Sequence, residues 1–413
     1  MNFKIVSICL LGFASGLPYM LVYATLGTWL ATTDLDITTV GFFAWATFIY
    51  GVKFLWSPII DQYSVPILKN IGNRKSWIIL MQVLIILFLL LLSFTNPSEN
   101  LRLFALFAFM IAFFGSIQDI AIDAFRIELA DIKDQGNLAA SYQLGWRIAI
   151  LVATTGALIL ANKTSWSLVY QTMSVLMLVG VLGLFLTPEN KNASLRKLTF
   201  LNSIWEPFKD IFKRFGLYLS LLLLGIISTY RLTDIITGFI TNPFYIEMGY
   251  SLNEIALVVK TVALFATIFG LFLGGKLIKS VGIKNSLIIG AILVMMTNLF
   301  FAYIPMSERS LILLSLVVGL DSMAAGIVGT VNIAFLTSLV SKKYTAVQYA
   351  LFTSIMAFIG KTLSGFSGLV VDNLALTYGY DYSWTLFFMG TSLLTIPSIM
   401  LIILYKKQYA ESY

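Results

Sequence analysis

Residues 103–130 read LFALFAFMIAFFGSIQDIAIDAFRIELA. Unbroken apolar residues lead up to Phe114, and Gln118, Asp119, Asp123 and Arg126 then follow within the same helical stretch. A helix of about 20 apolar residues crosses the hydrocarbon core of a bilayer. A charge at the centre of such a helix costs about 2.5–3.5 kcal/mol on insertion scales, so charged side chains there face a cavity or a partner. With about 3.6 residues per turn, Ser116, Asp119, Asp123 and Arg126 fall on one narrow stripe. Asp119 and Asp123 lie one turn apart and repel when both are ionised, while Arg126 is nearer Asp123. The stripe predicts Asp119 as the first candidate for proton coupling and Asp123 as a salt-bridge partner. An inner gate, where these charges meet the basic loops and control opening, is the alternative.

The rest of the chain reads the same way. Of 413 residues, 59% are hydrophobic and 11% charged, against about 25% charged in soluble domains. The expectation is an all-α integral membrane protein of two six-helix bundles. Its twelve spans fall at roughly 4–32, 38–60, 77–94, 102–124, 138–161, 168–187, 216–244, 254–274, 286–304, 310–338, 347–370 and 385–405. Even-numbered connections and the two ends hold eighteen Lys and Arg, whereas the odd-numbered ones hold only Arg102, Lys163 and Arg309. The positive-inside rule then places both termini and the 188–215 connection in the cytoplasm. The net charge of +7 is explained by topology, not by nucleic-acid binding. At the amino terminus, MNFKIVSICLLGFASG resembles a secretory signal, but the apolar run continues to Trp29 and reads as an uncleaved first span. Cys9 is the one cysteine, so there is no intrachain disulfide.

The chain has no histidine. That excludes His-ligated metal and Ser/His/Asp or Cys/His nucleophilic catalysis, and no GxxxxGK phosphate loop is present. Neither an enzyme nor a cofactor is expected, and proton chemistry falls to carboxylates.

The polar stretch 188–215 divides the chain into an N-terminal bundle, 1–187, and a C-terminal bundle, 216–413. Within it Trp205, Phe208 and Phe212 interleave with Lys209, Lys213 and Arg214, which suits a helix in the membrane interface or a solvated linker equally. The halves echo one another. Lys53 in span two matches Lys260 in span eight, Asp119 in span four matches Asp321 in span ten, and Arg147 in span five loosely matches Lys361 in span eleven. Two repeats with ionisable residues in corresponding helices are the layout of a secondary transporter. Lys53, Arg147, Lys260 and Lys361 are the candidate cations of a substrate site, with Asp321 joining Asp119 and Asp123 as proton-coupling candidates. Arg231 and Asp234, three apart, suit a structural ion pair. Pro18 and Pro243 are candidate gating breaks, and Gly360, Ser364 and Gly368 suit close helix contact.

Several segments closely resemble the AmpG family of muropeptide permeases. They are LLGFASGLPYMLVYATLGTWL (10–30), GFFAWATFIYGVKFLWSPIIDQY (41–63), GSIQDIAIDAF (115–125), VVKTVALFATIFGLFLGG (258–275) and TAVQYALFTSIMAFIGKTLSG (345–365). The resemblance implies the major facilitator fold in the bacterial cytoplasmic (inner) membrane. It also implies alternating access and proton-driven import of N-acetylglucosaminyl-1,6-anhydro-N-acetylmuramic acid, with or without peptide. Eukaryotic acetyl-CoA transporters form a related branch. Matching segments carry over Gly12, Ser15, Pro18, Lys53, Gln118, Asp119, Asp123, Arg147 and Lys260. Gln118 is expected to line the substrate path, and Tyr50 and Trp146, with Tyr19, Trp29, Trp45 and Tyr142, to offer faces to sugar rings. The loop after span two keeps the gating residue Asp61 but has an insertion before GNRK (72–75), and the loop after span eight has Lys279 where an acid is usual. Two other readings stay open: transport of another large anion, such as a nucleotide or CoA ester, and a transport-dead receptor or scaffold. A monomer in contact with lipid, without nucleic acid, is expected.

Overall fold

A computed structural model describes residues 3–33, 43, 48–131, 134–187, 200–251, 254–255, 258–364 and 366–411, and among these the regular structure is entirely helical. The helices are α1 (Phe3–Met20), α2 (Leu26–Ala31), α3 (Ser57–Gln62), α4 (Asn73–Ser93), α5 (Leu101–Glu128), α6 (Gln135–Leu151), α7 (Ala157–Lys163), α8 (Trp166–Leu176) and α9 (Leu178–Phe185). They continue as α10 (Phe200–Thr229), α11 (Leu232–Glu247), α12 (Ala263–Tyr303), α13 (Leu311–Leu339), α14 (Thr345–Ser364), α15 (Ser367–Tyr378), α16 (Tyr380–Leu393) and α17 (Thr395–Glu411). Wider π-helical turns occupy Leu21–Thr25, Val152–Gly156 and Val258–Val262.

Among the described residues ten helical runs are long and apolar enough to cross a membrane. The run Ala263–Met306 holds 44 residues, but Gly282, at φ 78° and ψ 164°, breaks its helix in two. Only glycine adopts that conformation without strain, and the break separates the eighth expected span from the ninth. Gly216, at φ 71°, likewise ends the linker helix that opens α10.

Span two departs from expectation. Residues 34–42 and 44–47, Trp45 included, lie outside the described residues, and 48–62 form short turns instead of one helix. Lys53–Leu55 is a 3-10 turn, and α3 begins afresh at Ser57 with Pro58 in its first turn. The reason is local. Pro58 has no N–H for the carbonyl of Phe54, and the Ser57 hydroxyl donates to that oxygen instead at 2.8 Å.

Two compact units divide the chain: residues 1–208 with 340–354, and residues 209–339 with 355–413. The first is built on the crossing of α1 with α6, where a Cβ added to Gly145 would overlap the Cys9 carbonyl and one on Gly12 the Tyr142 carbonyl. Leu17, Leu21, Phe104, Ile111 and Tyr170 pack its core. The second repeats the device between α12 and α13, with Gly326 against the Thr267 carbonyl and Gly270 against that of Met323. Phe244, Phe301, Trp384 and Phe388 form its aromatic core, and Trp384 Nε1 donates to Glu247 at 2.6 Å. The expected stripe of Gly360, Ser364 and Gly368 is not continuous. Gly360 packs tightly on Ile235, but Gly368 faces open space.

Candidate functional site

The charges of residues 115–130 come together in the first unit. The turn Lys53–Leu55 brings Lys53 Nζ to 2.5 Å from Asp119 Oδ2 and 3.9 Å from Asp123 Oδ2. The lysine and the two carboxylate side chains are 8%, 14% and 6% exposed, so little solvent screens them. Asp119 Oδ1 accepts hydrogen bonds from the Ser15 hydroxyl of α1 at 2.6 Å and the Tyr142 hydroxyl of α6 at 2.9 Å. Asp123 lies 3.5 Å from Arg126, which is fully buried. Arg126 also stacks near the Tyr142 and Tyr349 rings, at 5.8 and 5.2 Å. Gln135, 3.5 Å from Arg126, turns its amide onto the carbonyls of Ile127 and Ala130 at the end of α5.

Asp119, the first coupling candidate, is held by Lys53, Ser15 and Tyr142. Helix periodicity shows which residues share a face but not what that face meets, and Lys53 lies 66 positions away. Asp123 has the predicted Arg126 neighbour, at longer range. Gln118 departs from its expected place on the substrate path. It is fully buried, with Nε2 donating to the Ala14 carbonyl at 2.8 Å.

Beside this network Tyr19, Tyr50 and Trp146 form a half-buried aromatic group. The Tyr19 ring stands edge-on to Tyr50 at 5.0 Å and lies 6.3 Å from Trp146. The Tyr50 hydroxyl points at Gly115, where any Cβ would collide with it, and Trp146 packs on Gly16. Arg147, next in α6, is half-buried. Pro18 is buried within α1.

A second cluster joins four elements at the end of span two. Arg74, at the start of α4, reaches Asp61 at 2.7 Å, Glu128 at 2.8 Å and the Ile60 carbonyl at 2.8 Å. Asp61 accepts the amides of Ala346 and Val347, at 3.2 and 3.1 Å, at the N-terminus of α14. Those amides have no carbonyl partner within their own helix, so a carboxylate there satisfies them and complements the helix dipole. Burial raises the Asp61 carboxyl above its ordinary value, while Arg74 and the two amides pull it back. The sequence reading counted Arg74 only as a loop cation and missed Glu128. The one available signal was an acid and a GNRK segment flanking the same short connection.

In the second unit Asp321 is half-buried on α13 and accepts the Thr297 hydroxyl at 2.9 Å. Arg231 precedes α11 and pairs with Asp234 in its first turn at 3.0 Å. Pro243 is exposed within α11, and Lys361 is exposed in the last turn of α14. Lys260 belongs to the π-helical turn Val258–Val262, and its side chain lies outside the described residues. Among the described residues no group of three or more acids and cysteines is placed to hold a metal ion.

Residues 8–365 match the family model of the Major Facilitator Superfamily. A Rickettsia conorii protein named as the transporter AmpG 4 is 32% identical over 410 residues, covering 97% of this chain and 96% of that one. The anhydromuropeptide permease of Escherichia coli K12 is 30% identical over 397 residues, covering 95% of this chain and 78% of that one. The chain belongs to the major facilitator superfamily, in its AmpG-like branch. The solved proton:xylose symporter XylE, bound to 6-bromo-6-deoxy-D-glucose, shares the fold with a TM-score of 0.69 at 14% identity, over 96% of this chain and 94% of that one. This AmpG-like protein is therefore an all-α membrane transporter of a small-molecule substrate, not an enzyme. It is a multi-pass protein of the bacterial inner membrane.

Proposed function

We propose that this transporter imports anhydro-muropeptides into the cytoplasm by proton-coupled alternating access. The cargo is N-acetylglucosaminyl-1,6-anhydro-N-acetylmuramic acid, with or without its peptide. The observation that carries the reading is the enclosed Lys53–Asp119–Asp123–Arg126 network in a chain 30% identical to an anhydromuropeptide permease. Two carboxylates sharing one lysine form a site whose charge changes by one when a proton arrives. With Asp119 neutral, Lys53 is released from its closest partner and becomes available to a carboxylate of the cargo. Asp123 and Asp321 are the other coupling carboxylates of this scheme.

Tyr50 and Trp146, with Tyr19, offer faces to the sugar rings, and Arg147, Lys260 and Lys361 supply further counter-charge. Twelve spans, both termini in the cytoplasm and two bundles, 1–187 and 216–413, joined by 188–215, complete the proposal. Asp61 and Arg126 serve gating, with Pro18 and Pro243 as the breaks that let spans one and seven bend, and Arg231–Asp234 is a structural pair. The transporter works as a monomer in lipid, without nucleic acid. A nucleotide or CoA ester is the competing cargo, because both would need the same basic residues.

The test is uptake of labelled anhydro-disaccharide into cells that lack their own permease. Intact protein should accumulate it, and Asp119→Asn or a protonophore should abolish accumulation. Absence of uptake by inserted, folded protein refutes the cargo. Uptake indifferent to both treatments refutes the coupling.

A further inference from the structure

Pro18 lies inside α1 and has no N–H for the carbonyl of Ala14, one turn earlier. Ala14 is fully buried, so water cannot take the place of that amide. Gln118 can. Its Nε2 donates to the Ala14 carbonyl at 2.8 Å, and Gln118 is itself fully enclosed. The fold meets the same need at Pro58, where the Ser57 hydroxyl takes the carbonyl that the proline leaves behind.

At Pro18 the contact continues into the charge network. Ser15 donates to Asp119 at 2.6 Å, so neighbours 118 and 119 of α5 hold neighbours 14 and 15 of α1. Beyond the proline, α1 opens into the π-helical turn Leu21–Thr25, whose Leu21 carbonyl takes the Tyr170 hydroxyl at 2.8 Å. Thr25 donates across to the Ala153 carbonyl, within the second π-helical turn, at 2.5 Å.

We propose that Gln118 is a positioning residue that replaces the amide Pro18 lacks, holding the Ala14–Ser15 turn of span one against α5 so that the Ser15 hydroxyl meets Asp119. The inference rests on the proposed coupling role of Asp119. Asp119 is faced by Ser15 of α1, Lys53 of the 3-10 turn and Tyr142 of α6. Tyr50 lies within reach of its charge, and Asp123 on its own helix shares Lys53 and carries Arg126. Among these groups, Ser15 is the one that belongs to span one, next to the Ala14 carbonyl that Gln118 holds.

Pro18→Ala provides the test, because it restores an N–H to the Ala14 carbonyl and makes the Gln118 amide redundant. Four purified proteins are compared: wild type, Gln118→Met, Pro18→Ala and the double variant. Thermal midpoints in detergent are read beside the pH dependence of uptake. Gln118→Met should lower the midpoint, slow uptake by about tenfold and displace the pH profile of uptake. In the Pro18→Ala background the same substitution should leave the thermal midpoint where Pro18→Ala alone puts it. Equal effects in both backgrounds, or no effect in wild type, overturn the proposal. If Gln118→Met does not accumulate as folded protein, Gln118→Leu runs the same cycle. The thermal arm needs no cargo, so it reports on the span-one contact even if the anhydro-disaccharide is not transported.

Discussion

Lys53→Met removes the cation that two buried carboxylates share. At an effective dielectric of about 20, unit charges 2.5 Å apart attract by about 6–7 kcal/mol and charges 3.9 Å apart by about 4 kcal/mol. The cost of desolvating the ammonium offsets much of this, and removing one member of a buried pair typically costs a protein about 3–5 kcal/mol. The upper part of that range applies here, because the three side chains are 6–14% exposed and the orphaned charges cannot be rehydrated in place. Among the described residues Asp119 would keep the Ser15 and Tyr142 hydroxyls, and repulsion from Asp123 would no longer be offset by the lysine.

The assay is a double-mutant cycle in detergent, following unfolding by tryptophan fluorescence. Lys53→Met should destabilise strongly, whereas Lys53→Met/Asp119→Asn should recover stability through a coupling energy of about 2 kcal/mol or more. Wild-type stability for Lys53→Met, or an Asp119→Asn effect that is the same with and without Lys53, would refute the pairing.

Gly145→Ala would push a methyl group into the Cys9 carbonyl at the α1–α6 crossing. It should cost at least the upper end of the usual 1–3 kcal/mol for overpacking, while exposed Gly238, with open space around it, should accept Ala without loss in the same thermal assay. Tyr170→Phe removes the hydroxyl donor to the Leu21 carbonyl, which keeps the Leu26 amide, and should cost about 0.5–1.5 kcal/mol, read as a lower unfolding midpoint. Arg74→Leu strands Asp61 and Glu128 together. It should lower stability by about 3–5 kcal/mol, and Asp61→Asn added to it should recover part of the loss.

The sequence alone determined the class and the places where charge enters the bilayer. Runs of apolar residues near 20 long, eighteen cations against three in alternating connections, and the segments around Gly12, Lys53 and Asp119 are all local properties of the chain. Hydropathy and periodicity depend on neighbours in sequence, so they survive without knowledge of packing. The pairings are a different kind of property. Lys53 and Asp119, Arg74 and Glu128, and Gln118 and Ala14 meet because helices are rotated and staggered to particular values. In the first unit those values depend on Gly12 and Gly145, which let α1 and α6 touch backbone to backbone. Likewise, hydropathy predicts span two unbroken from roughly 38 to 60, and only the structure shows a fresh start at Ser57–Pro58 with Lys53 on the turn before it. A stripe on one helix names the residues that need partners; the crossing of a second helix decides which partners they get.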